Sequence, residues 1–133
     1  MRLGCDMMLT DEQRTFVVAQ RRAVLATLST SGNPRMVPIC LVLAARLTDA
    51  SRVVIYSPLD EKPKQAADVR QLARVRDIAA RPPSSVLFER RSEDWSELAW
   101  LRAHGHADLL EPDHEPLTHQ AAARASCAGA YAK

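Results

Sequence analysis

From Leu98 to Leu109 the residues alternate strictly in character. Ala99, Leu101, Ala103, Gly105, Ala107 and Leu109 form one series, and Leu98, Trp100, Arg102, His104, His106 and Asp108 form the other. Successive side chains of an extended strand point to opposite faces, so this pattern predicts a long strand with one small, apolar face and one large, polar and aromatic face. Small residues suit the inside of a narrow barrel. A face carrying Trp, Arg and two His is expected to meet something other than bulk water.

The remaining segments supply partners for such a strand. Thr10-Asp11-Glu12-Gln13 has the form of a capping box, with Thr10 as N-cap and Gln13 three residues on, and predicts a helix to about Arg21. Residues 23–30 form a short apolar run, Ser31-Gly32-Asn33-Pro34 a turn, and residues 35–43 a second run, together a β-hairpin. Pro38 cannot donate to a ladder, so it implies an edge, a bulge or a backbone turned toward a ligand. Arg52–Ser57 is expected as a third strand. A helix is expected over 64–80, where Ala66, Val69, Leu72, Val75 and Ile78 recur at three-residue steps. Pro82-Pro83 stops it, Ser85–Phe88 makes a fourth strand and Ser92–Trp95 a turn. Residues 1–8 are read as a disordered lead, with Met7 or Met8 an equal candidate for the start. Residues 9–133 are read as one domain ending in an Ala-rich helix.

The 133 residues suffice for one domain with a substantial core. A net charge of +2, with acids interspersed among bases, argues against nucleic acid as a partner. No run approaches a membrane span, and Met1–Cys5 lacks the apolar stretch of a signal peptide. Cys5, Cys40 and Cys127 are scattered, which fits a reducing cytoplasm rather than a disulfide framework or zinc site.

Two constellations carry possible chemistry. Lys62 and Lys64 flank Pro63 where a helix begins; cations there are unfavourable unless an anion compensates them, which points to a phosphate. A solvated lysine pair balanced by Asp60 and Glu61 explains the same residues. Ser57, at the strand end after Tyr56, can donate to that phosphate or simply cap the strand. Arg35 can reach a phosphate or a carboxylate, or stand exposed. Trp95, Trp100 and Arg102 form the second constellation: rings that stack on a flat heterocycle with a guanidinium for its polar edge, or a dimer contact. His104 and His106 share a strand face but lack a third ligand nearby, so no metal is expected. Gly4, Gly32, Gly105 and Gly129 are too dispersed for a Rossmann or P-loop phosphate cradle, and no nucleophile elbow is present.

In this order the parts resemble the pyridoxamine-phosphate-oxidase-like family of split β-barrel flavoproteins, and within it the small branch dependent on the deazaflavin coenzyme F420. The resemblance spans about Leu9 to Glu111. Its carriers are the capped helix, Ser31-Gly32-Asn33-Pro34 followed by Val37-Pro38, Tyr56-Ser57 with Lys62-Pro63-Lys64, Leu72–Ile78, Asp94-Trp95-Ser96, and Trp100-Leu101-Arg102 leading to Gly105 and Ala107. Asp77 and Arg81-Pro82-Pro83 stand where relatives resemble an Asn-Ile…Asn-Pro pattern.

That resemblance implies an α+β fold, a six-stranded split β-barrel of the FMN-binding type. It also implies a homodimer with the cofactor in a groove between subunits. The family usually adds a strand after the terminal helix, so this chain is expected to lack the last strand. By position, Ser57, Lys62 and Lys64 would hold the cofactor phosphate, with Tyr56 beside them. Backbone groups at Met36, Val37 and Pro38 would line the ring, and Trp100 and Arg102 would come from the partner or the groove wall. The implied activity is hydride transfer from reduced coenzyme F420 to a small organic acceptor, an electron-poor C=C or similar group. FMN on the same fold, or a non-catalytic carrier, is the alternative. No catalytic acid or base is assigned.

Overall fold

A computed structural model describes residues 1–5, 9–45, 53–57 and 72–109. The elements in chain order are β1 (Arg2–Cys5), α1 (Asp11–Ala19), β2 (Arg22–Leu28), β3 (Pro34–Cys40), β4 (Val42–Ala45), β5 (Val53–Tyr56), α2 (Ala73–Ala80), β6 (Pro83–Arg90) and β7 (Ala99–Asp108). A 3-10 turn at Trp95–Glu97 lies between β6 and β7. The expected terminal Ala-rich helix, residues 58–71 and residues 46–52 lie outside the described residues.

Every strand pairing is antiparallel, and the order across the sheet is β3-β2-β6-β7-β1-β5-β4. The two edge strands, β3 and β4, are consecutive in the chain, separated by Leu41 alone. A sheet whose opposite edges are joined by one residue must curl until those edges meet. The stagger follows from the pairings. Val42 leads through Tyr56 and Arg2 to Asp108, while His104, four residues earlier on β7, leads through Ser85 and Ala26 to Met36. Brought level, Val42 returns to the same strand at position 32, a stagger of ten residues. Such a shear tilts the strands and closes a narrow barrel. The seven ladder strands are therefore six staves, with β3 and β4 as the two halves of one bent strand. The expected six-stranded split barrel is the observed fold.

Two expectations change. The run 35–43 is not one hairpin strand but two, because its partner changes at Leu41. Arg2–Cys5 is not a disordered lead: β1 is inserted between β7 and β5, with Leu3 fully buried opposite Ala107 and Ile55. Edges left open on both neighbours give Arg2, Leu3 and Gly4 a double ladder, and Cys5 a partner on β7. At the rim, Arg2 makes a bidentate pair with Asp108, Nε to Oδ1 at 3.1 Å and Nη2 to Oδ2 at 2.7 Å. The Met1 amino group donates to the Ser57 carbonyl at 3.0 Å, and the Ser57 N–H donates to the Met1 carbonyl at the same distance. The sixth stave is thus supplied from the start of the chain.

The core fills the barrel. Leu3, Ala23, Leu25, Ile39, Ile55, Val86, Phe88, Ala103 and Ala107 are buried together, and the small face of β7 points inward as its alternation predicts. Val17 of α1 and Ile78 of α2 join the same core. The capping box of α1 forms in both directions, Gln13 N–H to Thr10 Oγ1 at 3.1 Å and Thr10 N–H to Gln13 Oε1 at 3.0 Å. The β2–β3 turn closes on Ser29 and Asn33, with Gly32 at φ 86° supplying the left-handed residue of a three-residue hairpin loop. Replacing Leu3 by Ala is expected to destabilise the fold by about 3 kcal/mol in urea unfolding, the range for a buried leucine. A cost below about 0.5 kcal/mol would mean that β1 is not part of the folded barrel.

Candidate cofactor face

The registers arrange the outer face of β3, β2, β6 and β7 in rows. Pro38, Val24, Leu87 and Arg102 stand side by side in one row; Met36, Ala26, Ser85 and His104 form the next. Trp100 is beside Glu89, one step further along β7 from Arg102. Met36 is 73% exposed and Trp100 68% exposed, so a partly apolar surface is presented on a sheet whose inner face is packed. Trp95, in the 3-10 turn, is 86% exposed, and Leu98 beside it is also exposed. Several large apolar side chains bare on one region mark a binding face rather than scattered exposure.

Backbone polarity adds to this. The Ser29 N–H donates to the Asn33 carbonyl at 2.9 Å, so that pair is hydrogen-bonded. Antiparallel pairs alternate between bonded and non-bonded, which makes Arg35, Val37 and Ile39 the residues that bond to β2. Met36 and Pro38 then turn their polar groups away from β2. Pro38 costs the ladder nothing at this position. Among the described residues β3 has no strand on its other side, so the Met36 N–H and the carbonyls of Met36 and Pro38 face the split of the barrel. One donor flanked by acceptors suits the polar edge of a planar heterocycle.

Arg35 and Val37 point to the inner side. Val37 packs on the core. Arg35 donates from Nε to Asp77 Oδ2 at 2.7 Å, and Thr27 donates from Oγ1 to the same oxygen at 2.9 Å. Asp77 is 3% exposed, in the middle of α2. Its partners leave it neither bare nor unsatisfied, and together they fix α2 over the barrel mouth. The Arg35 Nη groups, on a side chain 43% exposed, have no partner among the described residues. The guanidinium of Arg81, at the end of α2, comes close to Gly32 in the adjacent turn.

Tyr56 and Ser57 are both buried. Tyr56 turns toward Arg2, whose guanidinium is held above its ordinary range chiefly by the Asp108 hydrogen bond, with smaller contributions from Tyr56 and against the cost of burial. Lys62 and Lys64 lie outside the described residues, as do Arg70, His114 and His119. Arg74 and Arg76 lie on α2, Arg76 exposed. The structure therefore brings Met36, Pro38, Trp100 and Arg102 onto one face, with Trp95 in the turn leading to it.

Position on that face decides what can act together. Pro38 and Arg102 are three inter-strand steps apart, about 14 Å at ordinary sheet spacing. A ring laid against the Met36–Pro38 edge does not reach Trp100 and Arg102 of the same chain. They fit the far wall of a groove, or the site of a second copy. Two features escaped sequence reading. The role of Asp77 as a buried anchor for Thr27 and Arg35 has no local signal, although its place in the family pattern is visible, and Ser85, whose Oγ is 2.6 Å from His104 Nδ1, carries no motif. The cross-strand register alone pairs Ser85 with His104.

Among the described residues no cluster of potential ligands could hold a metal, and no helix is long and apolar enough to cross a membrane. Asp94 accepts from the Ser96 hydroxyl at 2.7 Å and the Ser96 N–H at 3.0 Å, which holds its carboxyl below the ordinary range. A depressed carboxyl contributes stability that is present above its unfolded value and lost as pH falls through the folded value. Fluorescence of Trp95, read in a Trp100→Phe background, is therefore expected to hold steady down to pH 4 and change only at more acid pH. In Asp94→Ala the acid transition of that signal is expected to vanish.

No curated protein matches the chain. A protein-family model described as pyridoxamine 5'-phosphate oxidase matches residues 9–132, nearly the whole length. The six-stave split barrel agrees with that match, and the chain belongs to the pyridoxamine 5'-phosphate oxidase family of flavin-binding split-barrel oxidoreductases.

Proposed function

We propose that this protein is a homodimeric oxidoreductase that transfers a hydride between a phosphorylated flavin-type coenzyme, the deazaflavin F420, and a small electron-poor acceptor. The observation that carries the reading is the outer face of β3-β2-β6-β7, with Met36 and Pro38 at one side and Trp100 and Arg102 at the other. A bound deazaflavin or flavin supplies the hydride chemistry; the chain supplies position and field.

The residues fit such a group. Met36 offers a flexible apolar surface, and its N–H with the carbonyls of Met36 and Pro38 offers donor and acceptors at the split. Trp100 and Arg102 offer a stacking plane and a fixed cation. The 14 Å span supports a dimer in which each copy lends Trp100 and Arg102 to its partner's groove. Ser57, Lys62 and Lys64 are proposed to hold the phosphate, with Arg35 close to the barrel mouth as a further cation. Placing the ring in a groove between subunits excludes water from the acceptor.

FMN is the second reading, favoured by the family match itself. Both coenzymes carry a ribityl phosphate and differ in the acidic tail of the deazaflavin. Arg74 and Arg76 on α2 are candidates to meet that tail. Fluorescence titration with each coenzyme separates the two. The expected result is tighter binding of F420 than of FMN, weakened about tenfold or more by Lys64→Ala, the loss of one charge-assisted phosphate contact. Tighter FMN binding would assign the protein to the flavin branch. Binding of neither would overturn the oxidoreductase reading.

A further inference from the structure

Ser85 and His104 are cross-strand neighbours on β6 and β7, with Oγ and Nδ1 2.6 Å apart. That bond uses one ring nitrogen, Nδ1, on an exposed side chain. His104 follows Arg102 on the same face of β7, two residues along and about 7 Å away. We propose that His104, oriented by Ser85 and lent with Trp100 and Arg102 to the partner's coenzyme groove, is the proton donor that completes reduction of an electron-poor alkene there. The inference rests on the reading under Proposed function and adds to it a proton donor and the residue that positions it.

Hydride addition to the β carbon of an alkene conjugated to a carbonyl or similar group breaks the π bond. Its electron pair moves onto the α carbon and the withdrawing group. The α carbon then takes a proton from Nε2–H of the His104 imidazolium; the N–H electron pair stays on the ring, which solvent reprotonates. A positioned imidazole contributes about 10²- to 10⁴-fold to such a step. Ser85 is a positioning residue: it fixes the ring plane and decides which nitrogen faces the groove.

Among the described residues the charged and titratable groups nearest His104 on this face are Arg102 and His106 on β7 itself; Glu89 on β6 stands two rows away, beside Trp100. On β2 the residues of the same two rows are Val24 and Ala26, without charge. On β1, Gly4 stands beside His106. Arg102 stabilises the developing negative charge on the withdrawing group without competing as a proton donor, because a guanidinium does not deprotonate near neutrality.

The test uses the full chain with a cyclic enone as acceptor, in deuterium oxide. For His104→Gln the expected result is unchanged coenzyme affinity, kcat lowered about 100-fold or more, and loss of stereospecific deuteration at the α carbon, since water delivers to both faces. Ser85→Ala is expected to lower kcat with little change in KM, and Ser85→Thr to restore it. Independently of turnover, ¹⁵N resonances of the His104 ring are expected to shift when coenzyme is added. Stereospecific deuteration surviving in His104→Gln, or ring resonances unmoved by bound coenzyme, would overturn the assignment while leaving the coenzyme reading intact. A wild-type chain that binds neither F420 nor FMN would overturn both.

Discussion

Everything in this fold depends on one strand serving both edges of its own sheet. Residues 34–45 run as β3 on one side of the closure and β4 on the other, changing partner at Leu41. Ile39, Cys40 and Leu41 are all buried there, where the two edges converge. Because the closure is staggered by ten residues, the edges meet at the bend and diverge toward the start of β3. The gap so created is where Met36 and Pro38 leave backbone groups unpaired by any described strand. A closed ladder would have consumed them.

The barrel interior sets how the outer face is used. A narrow barrel admits only small or well-packed side chains, so Ala103, Gly105 and Ala107 of β7 turn inward opposite Ser84, Val86 and Leu3. Strand geometry then forces Trp100, Arg102, His104 and His106 outward together. The functional face is thus the reverse side of a packing solution. Burial of Asp77 works similarly: one carboxylate oxygen shared by Thr27 and Arg35 ties α2 to the barrel mouth, at a position where an unpaired charge would be costly.

Much of this was legible in the residues. The capping box of α1, the Ser31-Gly32-Asn33-Pro34 turn and the alternation of β7 are local signals, and each forms as read, although α1 stops two residues early at Ala19. Partner choice was not legible. Nothing in Ile39-Cys40-Leu41-Val42 marks a change of neighbour, because an aliphatic run suits either side of a closure. Arg2–Cys5 is too short to show a period, and only the vacant edges of β5 and β7 make it a strand. Of the candidate site, Met36, Pro38, Trp100 and Arg102 were recognisable by type and by family resemblance. Their common face and their 14 Å separation come from register, which depends on contacts distant in the chain. The Ser85–His104 pair belongs to the same class of information.

The central claim is that the outer face of β3-β2-β6-β7 is where the coenzyme binds. Hydrogen–deuterium exchange of the whole chain with and without F420 or FMN addresses it most directly. Coenzyme bound on this face protects 34–40 and 99–104, including the Met36 amide, and leaves β1 and α1 unchanged. Coenzyme-induced protection confined to other segments, with 34–40 exchanging as before, would contradict it.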